Sequence, residues 1–292
     1  MDHADLTAIG DRSPGLRVTA AAIEALRTTA DALPVDAFWE PMTLVVEDRQ
    51  QKGSPSKSLL AVRASDLRAW SRHIAYSVRV RLRSTESAIV QNISQGTLLP
   101  AAILLKSHLE SAALAVYCLD TVSDCARSGA MKQLTELMHK TLFGTAVAKH
   151  LTSKEWVAAL ISGAETNTIR ICRAIDALDR YVYQQNASGQ IGVVYSVLCE
   201  FAHPNHRGVM AFKTSDQTGE GWTIRYSLDE AFDQELAARL LNTLAVSMQA
   251  GYSAAEMLRA WDFRDVAGGI EWLCPSSETT RRVWTTFIRP EL

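Results

Sequence analysis

Apolar residues recur at helical spacing along most of this chain. The longest such run extends over about residues 58–95, where one side of the predicted helix carries Leu67, Trp70 and Ile74. The same spacing predicts further helices at about 18–33, 100–122, 131–149, 153–185, 190–202, 228–261 and 277–288. We expect residues 1–16 to be irregular, because Gly, Pro and Asp interrupt the pattern there.

The periodicity changes in the last third of the chain. Two short runs, 208–214 and 222–227, flank a segment rich in Asp, Gly and Thr, which predicts a β-hairpin near residues 209–227. After Gly268-Gly269 the pattern is irregular before the last helix.

Short connections between long helices favour antiparallel neighbours. The fold is therefore predicted to be mainly α: an up-and-down helical bundle with one small β-hairpin. We expect residues 1–56 to form an N-terminal helix and an irregular segment. Residues 57–292 would form the helical bundle and carry the β-hairpin.

Composition narrows the class of protein. The chain has 292 residues, 47% of them hydrophobic and 21% charged, as in ordinary globular proteins. Its net charge of -2 gives no global attraction to nucleic acid or to anionic lipid. We find no run of 18 apolar residues and no signal-peptide core, and the five cysteines are scattered, so we predict a cytoplasmic protein without a membrane span. No P-loop or dinucleotide motif is present, and no cofactor is expected.

One acidic residue lies in a strongly apolar predicted helix. Glu110 precedes a run of small residues, and a carboxylate there is costly to bury unless it is paired. His203 ends a second apolar helix and could donate to it. We therefore predict a Glu110–His203 contact in the bundle interior, either as a structural tie or as part of a ligand site. Tyr195, Glu200 and His206 are the neighbouring candidates.

A metal site is an alternative interpretation of the same residues. The sequence contains two Glu-x-x-His motifs, a spacing that places both side chains on one helix face, as in di-iron bundles. The candidate ligands are Glu110, Glu136, His139, Glu200 and His203, with Glu86 or Glu165 completing the set. Seven His and sixteen Glu give about 0.4 such motifs by chance, so finding two is only mildly surprising.

A stripe of cations follows the long helix at 58–95. Its members are Lys57, Arg68, Arg72, Arg79 and Arg83. Such a stripe could track a phosphate backbone, whereas the absence of interleaved aromatic residues favours a solvated helix face.

Arg68 and His73 form an R-x4-H motif, which resembles that of helical HEPN-type ribonucleases. The resemblance implies that the Arg holds phosphate and that the His acts on the ribose 2′-hydroxyl. Ala69 stands where a polar residue is usual in that family.

Two segments resemble a loose group of uncharacterised bacterial helical proteins. Residues 106–110 match a basic-Ser-x-x-Glu helix, with Lys106 in place of the usual Arg. Residues 195–204 match a Tyr-x-x-Leu-Ser-x-x-x-His-Pro helix end, with Cys199 in place of Ser. The resemblance implies a helical fold and a paired Glu–His centre, and it implies no established activity.

Every catalytic motif in the chain occurs at chance frequency. We therefore predict a binding or interaction module with a structural Glu–His centre. The alternatives are a HEPN-like ribonuclease and a metal-binding enzyme. The apolar helices would also allow a homodimer.

Overall fold

The computed structural model describes residues 4–12, 14–31, 63–143, 169–183, 189–203, 213–218, 221–226, 233–267 and 269–283. In these ranges the helices are α1 (Ala4–Arg12), α2 (Arg17–Asp31), α3 (Ala64–Gln95), α4 (Leu98–Ser128), α5 (Met131–Phe143), α6 (Ile171–Tyr183), α7 (Gln190–Ala202), α8 (Gln234–Ala260) and α9 (Ser277–Val283). The strands are β1 (Lys213–Thr218), β2 (Gly221–Tyr226), β3 (Asp262–Val266) and β4 (Gly269–Leu273). The predicted mainly α bundle with a small β-hairpin is confirmed.

The predicted hairpin is formed by β1 and β2, which pair antiparallel from Lys213 opposite Tyr226 to Thr218 opposite Gly221. The first strand includes residues that we expected in the loop. A second antiparallel hairpin, β3–β4, occupies the segment that we expected to be irregular. Its one buried side chain, Phe263, contacts the rings of Trp261 and Trp272, so aromatic packing anchors this hairpin to the end of α8.

Three long helices form the centre of the bundle. α3 and α4 are joined at Gly96, whose φ of 85° ends α3 in a left-handed conformation. α8 packs against both of them, and Gly251 lies at this junction. A Cβ there would lie 2.7 Å from Leu82 Cδ1 and 3.0 Å from Ala112 Cβ, so a larger residue would require α3 or α4 side chains to shift.

The N-terminal region is more ordered than we predicted. α1 forms where we expected an irregular segment, and it buries Leu6 and Ile9 in the core. α2 packs along α8, where Thr19 donates to Asn242 at 3.0 Å. The proposed boundary between residues 56 and 57 lies outside the described residues and stays a prediction.

Several predicted helix bounds shift. α4 begins before Pro100, which a first helical turn tolerates, and continues to Gly129 because that glycine provides the left-handed stop. The predicted helix at 153–185 is wrong in part, since Ile169 and Arg170 are not helical. Its residues before 169, like the predicted ends after 143 and 283, lie outside the described ranges.

α4 is the one helix in the described chain that is long and apolar enough to cross a membrane. The mean hydropathy of its most apolar window is 1.3, and 56% of that window is buried inside the protein. The core helix of a globular protein has the same properties.

Candidate functional site

The most deeply buried charges lie between α2, α3 and α8. The carboxylate of Glu86 is fully buried, and it accepts hydrogen bonds from Arg27 Nε at 2.7 Å and from Arg83 Nη1 at 3.0 Å. Tyr252 Oη donates to its other oxygen at 3.3 Å. We call Arg27, Arg83, Glu86 and Tyr252 the ionic core.

Two further carboxylates pair with the arginines of the ionic core. Arg83 Nη2 lies 2.7 Å from Asp31 Oδ2, and Arg27 Nη1 lies 3.2 Å from Glu24 Oε2. Burial and the negative charge of Glu86 both raise the pKa of Tyr252 well above its ordinary value. From the sequence we expected Glu86 on the exposed side of the long helix. This prediction is wrong, because α2 covers this face of α3 and supplies the matching cation.

A buried histidine lies elsewhere in the centre. His108 on α4 is fully buried, and its Nδ1 lies 2.7 Å from Ser247 Oγ on α8. Its Nε2 has no hydrogen-bond partner among the described residues. Burial lowers the pKa of His108 to about 3, so the ring is neutral at physiological pH.

The predicted Glu110 centre exists with a different partner. Glu110 Oε1 accepts from Lys106 Nζ at 2.7 Å and from Tyr195 Oη at 2.8 Å. Lys106 Nζ also lies 5.5 Å from the Tyr195 ring centroid, within cation–π range. Burial and the bond to Glu110 raise the pKa of Tyr195, which keeps its phenol protonated. We call Lys106, Glu110 and Tyr195 the Glu110 cluster.

His203 is not the partner of Glu110. It follows the last residue of α7 with an exposed side chain, and within the described ranges no hydrogen bond or ion pair joins it to Glu110. Because α7 ends at Ala202, its tyrosine at position 195, two turns earlier, meets α4 instead. The prediction of a Glu110–His203 contact in the interior is wrong, whereas the inclusion of Tyr195 among the candidates identified the observed partner.

An open groove of about 600 Å³ lies between α6 and α7, beside the Glu110 cluster. We call it the α6–α7 groove. Its lining residues are Cys172, Ile175, Asp176, Gly189, Gly192, Val193, Tyr195, Ser196, Val197 and Glu200. A Cβ added at Gly192 would meet nothing within 4 Å, so the groove passes directly over that backbone position.

The metal candidates do not come together. Glu136 is exposed, 3.8 Å from Lys140, and Glu200 is exposed on α7. The side chain of His139 and all of Glu165 and His206 lie outside what the structure describes. Among the described residues, no group of three or more His, Cys, Asp or Glu side chains is placed to hold a metal ion.

The predicted basic stripe is largely engaged within the protein. Arg68 Nη2 donates to the Phe263 carbonyl at 2.7 Å, and its Nε lies 2.8 Å from Asp262 Oδ1. Arg79 is buried, and Arg83 belongs to the ionic core. The expectation of a solvated cationic face is therefore wrong at these positions. Arg72 is half-buried with an interaction of its own, and Lys57 lies outside the described residues.

The two residues of the HEPN-like motif point in different directions. Arg68 contacts the second hairpin, whereas His73 is exposed. Five residues along a helix correspond to a rotation of about 140°, which explains the separation. The guanidinium that would hold phosphate is occupied by a carboxylate and a carbonyl of this chain.

The residues of the groove were largely missed by the sequence reasoning. A signal was present, because α7 is apolar on nearly all sides, as expected of a buried helix. Gly189 just before the helix, together with Gly192 and Ser196 within it, leaves one side of α7 with little side-chain bulk. The periodicity could not show that this side would stay uncovered.

No family model, curated protein or solved structure matches this chain. The geometry of the described residues therefore carries the functional argument.

Proposed function

We propose that this protein is a binding or interaction module of the bacterial cytoplasm and that its binding surface is the α6–α7 groove. The observation that carries the proposal is the exposure of α7. This apolar helix has 13 residues, of which only Ile191 and Leu198 are buried. Val193 is 65% exposed at the groove. Apolar surface left open beside polar groups is typical of an interaction site.

The groove is held in place before anything binds. Asp179 on α6 is buried, and its two oxygens accept from the backbone N–H groups of Gly189 and Ile191, both at 2.9 Å. This carboxylate ties α6 to the start of α7 and satisfies N–H groups that a helix start leaves unpaired. On the other side, the bond from Tyr195 to Glu110 ties α7 to α4. A rigid groove loses less conformational entropy on binding than a mobile one.

The chemistry of the polar groups supports binding over catalysis. The phenol of Tyr195 is a hydrogen-bond donor whose pKa is raised, so it is unsuited to act as a base. His108 and Glu86 are fully buried and engaged with other side chains. The free thiols of all five cysteines are consistent with a reducing cytoplasm. Membership of the loose bacterial helical group, with a Glu-centred helix pair, remains part of this proposal.

Filling the groove tests the proposal. Gly192→Trp places an indole where the backbone faces open space, whereas Gly192→Ala adds one methyl group at the same position. A library of displayed random peptides would be selected on the wild-type protein and then counter-tested on both variants. We expect enriched peptides that bind wild type and Gly192→Ala but not Gly192→Trp.

Thermal unfolding of both variants serves as the fold control. Val193→Ser provides a second, non-steric variant, because it removes an exposed apolar group and leaves the backbone unchanged. If no peptide is enriched, or if every enriched peptide binds Gly192→Trp as well as wild type, the groove is not a binding surface and the proposal fails.

A further inference from the structure

We infer that the α6–α7 groove receives a basic amphipathic helix from a partner protein. This inference rests on the proposed function and specifies its partner. Three properties of the groove carry it: the sign of its charges, its length along α7 and the arrangement of its apolar residues.

Among the described residues, the charged residues of the groove lining are acidic. These are Asp176 and Glu200, which are exposed carboxylates, and no described Lys or Arg belongs to the lining. Glu110 is hydrogen-bonded to the lining residue Tyr195, but it is paired with Lys106, so the attraction for cations rests on Asp176 and Glu200. Arg173 is exposed on α6 outside the lining. A partner with cations on both sides of an apolar ridge would therefore be attracted and oriented.

The dimensions suit a helix. The lining follows α7 from Gly189 to Glu200, which at a rise of 1.5 Å per residue is a length of about 16 Å, or three helical turns. Gly189, Gly192 and Ser196 line one edge of the groove and have small side chains or none. The backbone of a packed helix can therefore come close to α7 there.

The apolar residues provide the contact surface. Val193, which is 65% exposed, and Val197 lie one turn apart on α7. Ile175 of α6 also borders the groove but is only 3% exposed, so the two valines supply the apolar contact surface. An amphipathic helix presents apolar side chains at every third or fourth position, so two or three of them would contact these residues in succession. The acidic residues would then meet the flanking cations of the partner.

A matched pair of peptides tests the charge preference. Both carry the same leucine ridge at helical spacing, and the flanking positions are Lys in one and Glu in the other. We expect the Lys peptide to bind wild type at least about tenfold more tightly than the Glu peptide, since like charges across an interface are repelled. Gly192→Trp should abolish binding of the Lys peptide.

Charge reversal sharpens the test. Asp176→Lys should weaken binding of the Lys peptide by about fivefold or more and strengthen that of the Glu peptide. Glu278→Lys on α9 makes the same change in net charge outside the groove lining, and it should leave both affinities within about twofold.

Two exposed cysteines report the location of binding. Cys172 lines the groove, whereas Cys274 does not, and both thiols are free. Alkylation by iodoacetamide, followed site by site with mass spectrometry, should slow at Cys172 when the Lys peptide is bound. The rate at Cys274 in the same sample should not change.

The outcomes separate this inference from the proposed function. If peptides bind in a Gly192-dependent manner without preferring Lys, the basic helix is wrong and the binding module stands. If neither peptide protects Cys172 and the library selection also fails, both proposals fail. If the wild-type protein instead dimerises through this face, with Gly192→Trp making it monomeric, the occupant is a second copy and the inference is overturned.

Discussion

Glu86 and Glu110 are both glutamates on long central helices, and each accepts hydrogen bonds from a cation and from a tyrosine. Their surroundings differ. Glu86 is fully buried between Arg27 and Arg83, whose guanidinium groups are in turn paired with Glu24 and Asp31. Glu110 keeps a side-chain exposure of 24% and is paired with a single lysine.

The difference indicates which carboxylate the fold depends on. Removing the charge of Glu86 would leave the guanidinium of Arg27, whose side chain is 5% exposed, against the closed interface of α2, α3 and α8, where water cannot replace the carboxylate. Arg83 is 32% exposed and keeps its ion pair with Asp31. Water can reach Glu110 and its lysine, so the loss of that pair is partly compensated. The Glu110 cluster borders the groove and is the one of the two that a partner could contact.

The largest expected effect is that of Glu86→Gln. The substitution keeps the shape of the side chain and removes the nearer and more deeply buried of the two carboxylates paired with Arg27, which is 4% exposed. We expect a loss of about 3 kcal/mol in the free energy of unfolding, as for other broken buried ion pairs. Urea unfolding at neutral pH measures this change in the free energy of unfolding. An unchanged m-value checks that the variant still unfolds in two states.

Replacing Arg27 as well tests whether an unbalanced charge causes the loss of stability expected for Glu86→Gln. Arg27→Met combined with Glu86→Gln should be less destabilising than the sum of the two single variants, because the stranded charge is gone. Additive losses would mean that the ionic core is a set of independent contacts, and the contrast with Glu110 would lose its basis.

The pH dependence of stability is the next expected effect. The pKa of His108 is about 3 in the folded protein, against an ordinary value of 6.5. The unfolded chain therefore takes up a proton that the folded chain excludes, so this contribution is full above pH 6.5 and is lost as the pH falls towards 3. At pH 5 the loss is about 2 kcal/mol.

His108→Gln isolates the contribution of His108 to the pH dependence of stability. Glutamine can still hydrogen-bond to Ser247 but does not titrate. The difference in stability between pH 7 and pH 5 should therefore be smaller in the variant by about 2 kcal/mol. Equal losses in wild type and variant would show that the histidine is not buried in its neutral form.

The helices were readable from the sequence because helical periodicity is a local property. The start of α5 at Met131 and all of α7 were predicted to the residue, since Gly129, Gly189 and Pro204 limit them. The second hairpin also had a signal, since two short runs flank Gly268-Gly269, but its strands bury little and alternate weakly.

The site was less predictable because it depends on which helix faces meet. Arg83 and Glu86 are three residues apart and could be paired from the sequence, but Arg27 is 59 residues from Glu86. Without that pairing, Glu86 looked like a solvent-facing residue on a basic stripe. Whether Tyr195 or His203 contacts Glu110 likewise depends on the position of α7 along α4.

The two tyrosines provide a finer comparison. Tyr252→Phe should cost about 1 kcal/mol, because the lost hydroxyl serves a fully buried carboxylate. Tyr195→Phe should cost less, because Glu110 keeps its lysine and water. Urea midpoints of the two variants measure the difference, and a larger loss for Tyr195→Phe would contradict the assigned roles.

The raised pKa of Tyr252 also predicts a loss of stability at alkaline pH. The folded protein raises the pKa of Tyr252 above its ordinary 10.0, so the folded state favours the neutral phenol. Its contribution is full below pH 10 and is lost as the pH rises towards the folded pKa. Stability of wild type and Tyr252→Phe should therefore converge or reverse as the pH passes 10, with circular dichroism as the readout.

The smallest stability effect is expected for Glu110→Gln, and it is the most informative about function. The amide still accepts from Tyr195, and Lys106 gains water in place of its ion pair, so the loss should be about 1 kcal/mol or less. Binding should respond more strongly, because Glu110 holds the tyrosine that lines the groove. We expect affinity for the Lys peptide to fall by about threefold to fivefold. A loss of stability as large as that of Glu86→Gln, with unchanged peptide affinity, would instead make Glu110 a structural residue of the same kind as Glu86.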